Sequence, residues 1–85
     1  MNVIVYERTS SYCAMCVATK RKLDNNGTPY TLLPVEDQPD EWLAAHKAAG
    51  RLMAPIVEVK YESGGSVEWS GFRPDAIDSL KNEVR

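Results

Sequence analysis

The sequence has little cysteine, a single histidine and no long apolar run, and each shortage narrows what it can encode. Two cysteines among 85 residues cannot staple a disulfide-rich scaffold. Because they stand close together at positions 13 and 16, a bond between them would restrain the unfolded chain very little. One histidine and two thiols fall short of the four ligands of a tetrahedral zinc site. No stretch approaches the roughly 20 apolar residues of a membrane span. The excess of basic charge that marks nucleic-acid binders is absent as well: 10 Lys and Arg stand against 12 Asp and Glu, a net charge of -2. No stripe of basic residues suits an anionic membrane either, so a protein partner or a small substrate is the expectation. Low-complexity tracts and repeats are missing too, and the length suits one domain spanning 1–85. The first apolar run, Val3-Ile4-Val5-Tyr6, is too short for a signal peptide and has no charged segment before it. The reading is therefore a monomeric cytosolic protein whose thiols are kept reduced, a setting in which a close cysteine pair points to redox or metal chemistry.

What is present alternates between strand and helix signals. Val3-Ile4-Val5-Tyr6 is a β-branched run suited to a central strand. After the polar loop Thr9-Ser10-Ser11-Tyr12, residues 14–26 turn helical, with Cys16, Thr19, Lys20 and Leu23 on one face and Asn26-Gly27 as the stop. Residues 30–35 read as a second strand, placed at an edge by Pro34. A strand, helix and strand this close make a βαβ unit, so these strands should be parallel with a right-handed crossover. Asp37-Gln38-Pro39-Asp40 starts a second helix that Gly50 ends, with Trp42, Ala45 and Ala49 on its buried face. A third strand opens at Pro55, with Val57, Val59 and Tyr61 facing inward and Glu58 and Lys60 on a wetter face. Ser63-Gly64-Gly65-Ser66 signals a hairpin returning through Val67-Glu68-Trp69. A last helix begins near Pro74 and buries Ile77, Leu80, the Lys81 stem and Val84. The order βαβ-α-ββ-α describes an α/β protein of thioredoxin/glutaredoxin type, with a four-stranded mixed sheet and three helices.

Cys13-Ala14-Met15-Cys16 carries the chemistry. Residues i and i+3 at a helix start lie one turn apart on one face, within reach of a disulfide. Cys13 stands at the helix N-terminus, where free backbone N–H groups and the dipole favour an anion, hence the thiolate. Cys16 lies deeper in the first turn and points toward the sheet. Cys13 is thus the expected nucleophile, forming a mixed disulfide with a partner, and Cys16 the residue that resolves it. The position of the motif, directly after a strand and opening a helix, supports redox over metal binding. His46, between Ala45 and Lys47 in mid-helix, reads as a half-exposed surface residue. An iron–sulfur cluster would need thiolates from a second chain.

Ala54-Pro55 precedes the third strand. X-Pro bonds in folded proteins are mostly trans, so the residues alone favour a trans, strand-opening proline. A cis bond would instead turn the Ala54 backbone toward the disulfide, where a substrate chain could pair with it.

The C-x-x-C after the first strand, the run Met53-Ala54-Pro55-Ile56-Val57 and the run Trp69-Ser70-Gly71-Phe72-Arg73-Pro74-Asp75 together make the chain resemble the NrdH redoxins, glutaredoxin-like proteins with thioredoxin-like activity. The likeness covers nearly the whole length, and the run from Trp69 to Asp75 is its specific part. The resemblance implies a cis Pro55 facing Cys13 and Cys16. It implies electron donation to a class Ib ribonucleotide reductase, with recharging by thioredoxin reductase and NADPH rather than by glutathione. No bound cofactor is implied: the redox-active disulfide is the working group and NADPH acts only through the reductase. The run from Trp69 to Asp75 would lie beside the redox pair, where glutathione-using relatives hold glutathione with a Gly-Gly and acidic pair. Tyr12, Ala14, Met15, Ala54, Pro55, Trp69, Ser70, Gly71, Phe72 and Arg73 are then the candidate partner-binding residues.

Read from the residues alone, that run is compatible with simpler roles. Trp69 and Phe72 can cap the core, Ser70 and Gly71 can turn, Arg73 can pair with an acid, and Pro74 with Asp75 can start the helix. Gly71 suggests a close approach of the backbone to something. Two features depart from the family. Six residues separate Tyr6 from Cys13, a longer loop in which Arg8-Thr9-Ser10-Ser11-Tyr12 replaces the usual Lys-Pro approach. Ala14 and Met15 are also unusual between the cysteines, in a superfamily whose couples span roughly 150 mV. The competing readings are a glutathione-dependent glutaredoxin, for which only Arg8 and Asp75 come near the required charges, and a non-catalytic binding module or iron–sulfur carrier on the same fold.

Overall fold

The computed structural model describes residues 1–80. Strand β1 (Asn2–Glu7) is followed by helix α1 (Ala14–Asn25), strand β2 (Thr31–Pro34), a 3-10 turn (Val35–Asp37), helix α2 (Asp40–Ala48), strands β3 (Ile56–Lys60) and β4 (Ser66–Ser70), and helix α3 (Pro74–Ser79). The sheet order is β2-β1-β3-β4, with β1 and β2 parallel and the other two pairs antiparallel. This is the four-stranded mixed sheet with three helices expected from the periodicity. Pro34 ends the edge strand β2, a position that tolerates a residue without an N–H.

Alternation along the strands sorts side chains to two faces. Val3 and Val5 of β1, Val57 and Val59 of β3 and Trp69 of β4 form one buried surface with Leu23 of α1, Ile77 of α3 and Leu80. The register aligns Val5 with Val57 and Val57 with Trp69, so the core runs straight across three strands. Asn26 Nδ2 donates to Asp78 Oδ1 at 3.0 Å and Lys22 pairs with the same oxygen at 3.2 Å, joining the ends of α1 and α3. The core places Cys16 and Leu23 on the inner face of α1 and so fixes its N-terminus at the end of β1. Lys81 and Val84, expected on the last helix, lie outside the described residues.

The other face of the sheet departs from expectation. Helix α2 covers it through Trp42, Leu43 and His46, while Ala45 and Ala49 are exposed. The buried stripe is thus turned by one residue, about 100°, because Trp42 stacks on Tyr6 with ring centroids 4.4 Å apart and brings His46 down behind it. His46 is 4% exposed rather than half-exposed, and Glu58, assigned to a wetter face, is 8% exposed beneath α2. Both are buried because Tyr6, Trp42, Arg51 and one another supply their hydrogen bonds.

Candidate active site

Cys13 is the N-cap of α1, with extended backbone (φ -129°, ψ 99°), and its Sγ accepts the Cys16 N–H at 3.1 Å. No acidic side chain stands in the first turn of α1, so nothing there opposes negative charge on Cys13. Cys13 and Cys16 are joined by a disulfide, with Cα atoms 5.2 Å apart. Cys13 is 6% exposed and Cys16 2%, so the order of exposure is as expected but the contrast is narrow. Access to the pair therefore depends on the residues around it.

Those residues come from two other segments. The Ala54–Pro55 bond is cis, as the family resemblance implied and against the trans geometry favoured by the residues alone. The Ala54 carbonyl oxygen lies 3.8 Å from Cys13 Sγ, a van der Waals contact, since a disulfide sulfur has no proton to donate. The Pro55 carbonyl faces the other way and accepts the Gly71 N–H at 2.9 Å. Gly71 has φ +75°, and a methyl group there would touch Met15 Sδ at 3.6 Å and Met53 Cε at 3.8 Å. Met15, Pro55 and Gly71 are thereby gathered at the redox pair from three separate parts of the chain.

The remaining candidates divide by exposure. Trp69 belongs to the core, with its indole N–H unpartnered, and Ser70 ends β4. Tyr12, Met53 and Phe72 are exposed. Each is one residue along the chain from a group at the site, next to Cys13, Ala54 and Gly71 respectively, and Met53 lies within contact range of Gly71. Ala14 is exposed on the first turn of α1. Arg73 makes a two-pronged pair with Asp75 at 3.1 and 3.2 Å, and each partner favours the charged form of the other.

Glu36 is a contributor that sequence reasoning missed. It lies in the 3-10 turn and holds the long loop before Cys13. Its carboxylate accepts the Thr9 N–H, the Thr9 hydroxyl and the Ser10 N–H, each at 2.9 Å. Chiefly the Ser10 N–H, with other donors, pushes its pKa down to about 2. Arg8 closes the same loop by donating to the Tyr12 carbonyl at 3.0 Å. Only the Thr-Ser pair and an acid after a strand could have signalled this, and such combinations are common in loops.

A cysteine pair at a helix N-terminus, beside the residues that lead into β3, is suited to thiol–disulfide exchange, and the comparisons define it further. Residues 3–63 match the glutaredoxin family. The chain belongs to the glutaredoxin family. The glutaredoxin-like protein NrdH of Escherichia coli strain K12 is 36% identical over 80 residues, covering 94% of this chain and 89% of that protein. That of Salmonella typhimurium is 34% identical over the same coverage. The solved structure of E. coli NrdH-redoxin, a glutaredoxin-like protein described by a thioredoxin-like activity profile, superposes with a TM-score of 0.72. It shares 35% identity, and the match covers 94% of this chain and 95% of that one. A glutaredoxin from Archaeoglobus fulgidus shares the fold at a TM-score of 0.63 and 20% identity, covering 93% and 84% of the two chains. This glutaredoxin-family protein is a thiol–disulfide oxidoreductase of NrdH type, with Cys13-Ala14-Met15-Cys16 as its C-x-x-C. Among its described residues, no helix is long and apolar enough to cross a membrane.

Proposed function

We propose that this redoxin reduces a disulfide in class Ib ribonucleotide reductase and is recharged by thioredoxin reductase with NADPH, in the cytosol and as a monomer. The observation that supports the reading is the contact of Gly71 with the redox site, through its N–H on the Pro55 carbonyl and its packing beside Met15 and Met53. The 69–75 segment is the specific part of the NrdH resemblance, which implies that it takes the place where glutathione-using relatives hold glutathione. The thioredoxin-like profile of the E. coli relative supports the same choice.

The chemistry runs in two displacements. With the pair reduced, the Cys13 thiolate attacks one sulfur of the partner's disulfide. The Cys13–partner bond forms as the partner's S–S bond breaks, and the second partner sulfur leaves as a thiolate that takes up a proton. Cys16, as the thiolate, then attacks Cys13 Sγ. The mixed disulfide breaks, the partner leaves with both sulfurs reduced, and the Cys13–Cys16 bond is restored. Two electrons have passed to the partner, and the reductase must return two. The Cys16 N–H and the helix terminus favour the Cys13 thiolate as nucleophile and as leaving group. The Ala54 backbone, beside Cys13, would pair with an extended partner segment, and the exposed Tyr12, Met53 and Phe72 would pack against its side chains.

The test measures NADPH consumption with a model disulfide, using thioredoxin reductase in one reaction and glutathione plus glutathione reductase in another. Turnover with thioredoxin reductase alone is expected. Turnover with glutathione alone would make the protein a glutathione-dependent glutaredoxin.

A further inference from the structure

The face of the sheet under α2 holds a polar cluster that dithiol chemistry does not use. Glu58 is its centre. Its Oε1 accepts the Tyr6 hydroxyl at 3.2 Å, and its Oε2 accepts the Trp42 indole N–H at 3.0 Å and lies 3.3 Å from His46 Nε2. Glu68, opposite Glu58 in the β3–β4 register, places Oε2 3.6 Å from the same His46 nitrogen. Arg51 donates from Nε to His46 Nδ1 at 2.7 Å and sets its guanidinium 3.4 Å from Glu68.

Arg51 fixes one side of the imidazole. Arginine has no acceptor, so His46 Nδ1 must carry its lone pair toward Arg51. Nε2 is left facing the two carboxylates, 3.3 Å from Glu58 and 3.6 Å from Glu68. The charge of Arg51 goes to Glu68. Glu58 is left nearly enclosed with Tyr6, Trp42 and His46 as its partners, and among the described residues no lysine or arginine pairs with it. Holding a carboxylate out of water without a counter-charge is costly. Positive charge is wanting at the point where His46 Nε2, Glu58 and Glu68 converge.

We propose that His46, Glu58 and Glu68 form a binding site for a divalent first-row transition-metal cation. One ligand atom from each lies within 4.8 Å of the others. Metal bonds of about 2.0–2.2 Å put neighbouring ligand atoms roughly 3–3.5 Å apart, close to the 3.3 and 3.6 Å already present. One imidazole nitrogen with two carboxylates suits zinc, iron(II) or cobalt(II). Tyr6 and Trp42 orient the Glu58 carboxylate as outer partners orient metal ligands. A cavity of about 210 Å³ bordered by Glu58, Lys60, Ser66 and Glu68 leaves room for water to complete the coordination. On binding, the cation takes a lone pair of Nε2, and Nδ1 carries the ring proton. Arg51 releases Nδ1 and keeps Glu68.

The site lies under α2, on the opposite face of the sheet from the core that buries Cys16, so it is tested with the disulfide closed and no thiolate available. The oxidised full chain is titrated with cobalt(II) and zinc(II) chloride by calorimetry and absorption. One cation per chain is expected, with visible cobalt bands and no sulfur-to-cobalt charge transfer. Affinity should fall about ten-fold or more in Glu68→Gln, whose side chain, 33% exposed, tolerates the change. His46 is the single histidine, so nitrogen NMR of the wild-type imidazole reads the same event without any variant: zinc must shift the Nε2 resonance and leave the ring proton on Nδ1. No binding at millimolar cation, an imidazole unmoved by zinc, an unchanged affinity in Glu68→Gln, or binding that appears only after reduction of the disulfide would each overturn the site.

Discussion

The Gly71 amide donates to the Pro55 carbonyl at 2.9 Å while the preceding carbonyl, that of Ala54, meets Cys13 Sγ at 3.8 Å. One dipeptide thus links the 69–75 segment to the reacting sulfur. The link requires glycine at 71, because its φ of +75° lies in the left-handed region. Gly71→Ala should destabilise the protein by about 1–2 kcal/mol, read by chemical denaturation, and lower the rate of partner reduction. The added methyl would meet Met15 and Met53 at ordinary contact distances, so the cost comes from the backbone. An unchanged midpoint would mean that the turn relaxes freely.

Trp69 and Phe72 stand three residues apart and should respond oppositely. Trp69 is 7% exposed and packs in the core, so Trp69→Ala should cost about 3–5 kcal/mol. Phe72 is exposed beside Gly71, so Phe72→Ala should change stability by less than about 0.5 kcal/mol and raise KM for a protein disulfide with little change in kcat. If KM stays the same, Phe72 has no part in partner binding.

The two cysteines should be separable by chemistry. Cys13→Ser should abolish turnover, and Cys16→Ser should accumulate a mixed disulfide with the substrate, visible on a non-reducing gel. Full reductase activity in Cys16→Ser would refute the two-cysteine mechanism. Complete loss of activity in Cys13→Ser also argues against a purely binding role for the fold.

In the reduced wild type, iodoacetamide near neutral pH should label Cys13 faster than Cys16. Cys13 caps α1 and is the less covered of the two, and the free N–H groups there favour its thiolate. Peptide mapping of early time points gives the ratio. Equal rates would remove the helix terminus from the explanation.

How much of this was legible in the sequence depended on how local each signal was. The redox pair, the parallel β1–α1–β2 unit and the β3–β4 hairpin rest on spacings within about 35 residues, and the structure matches them. The face of α2 was misjudged because Trp42, Ala45 and Ala49 form a plausible apolar stripe. What turned the helix was the Tyr6 ring on a distant strand. Glu58 obeyed the alternation of β3, but alternation cannot tell a wet face from one that a helix covers. His46 could not be recognised as buried without Glu58 and Arg51, which reach it from the sheet and from beyond the end of α2. The isomer of Ala54–Pro55 was open to the family resemblance and closed to residue-level reasoning.

Glu36 gives the last prediction and sets its pH window. The carboxyl falls from its ordinary 4.5 to about 2 because its charged form accepts hydrogen bonds from Ser10 and Thr9. A depressed pKa means that the unfolded chain binds the proton more readily than the folded one. The ordering that Glu36 confers on the loop is therefore complete above about pH 4.5 and is lost as pH falls from there through about 2. Glu36→Gln should remove it at all pH values. At neutral pH the Thr9 and Ser10 amides should exchange with solvent faster in the variant than in the wild type, and the two should converge as pH approaches 2. Because this loop leads into Tyr12 and Cys13, KM for a protein disulfide should rise in the variant at neutral pH. Amides that exchange equally fast in both proteins at neutral pH would show that Glu36 does not hold the loop in solution. Among the described contacts, the Arg8 bond to the Tyr12 carbonyl would then be the one left to order the loop that leads into Cys13.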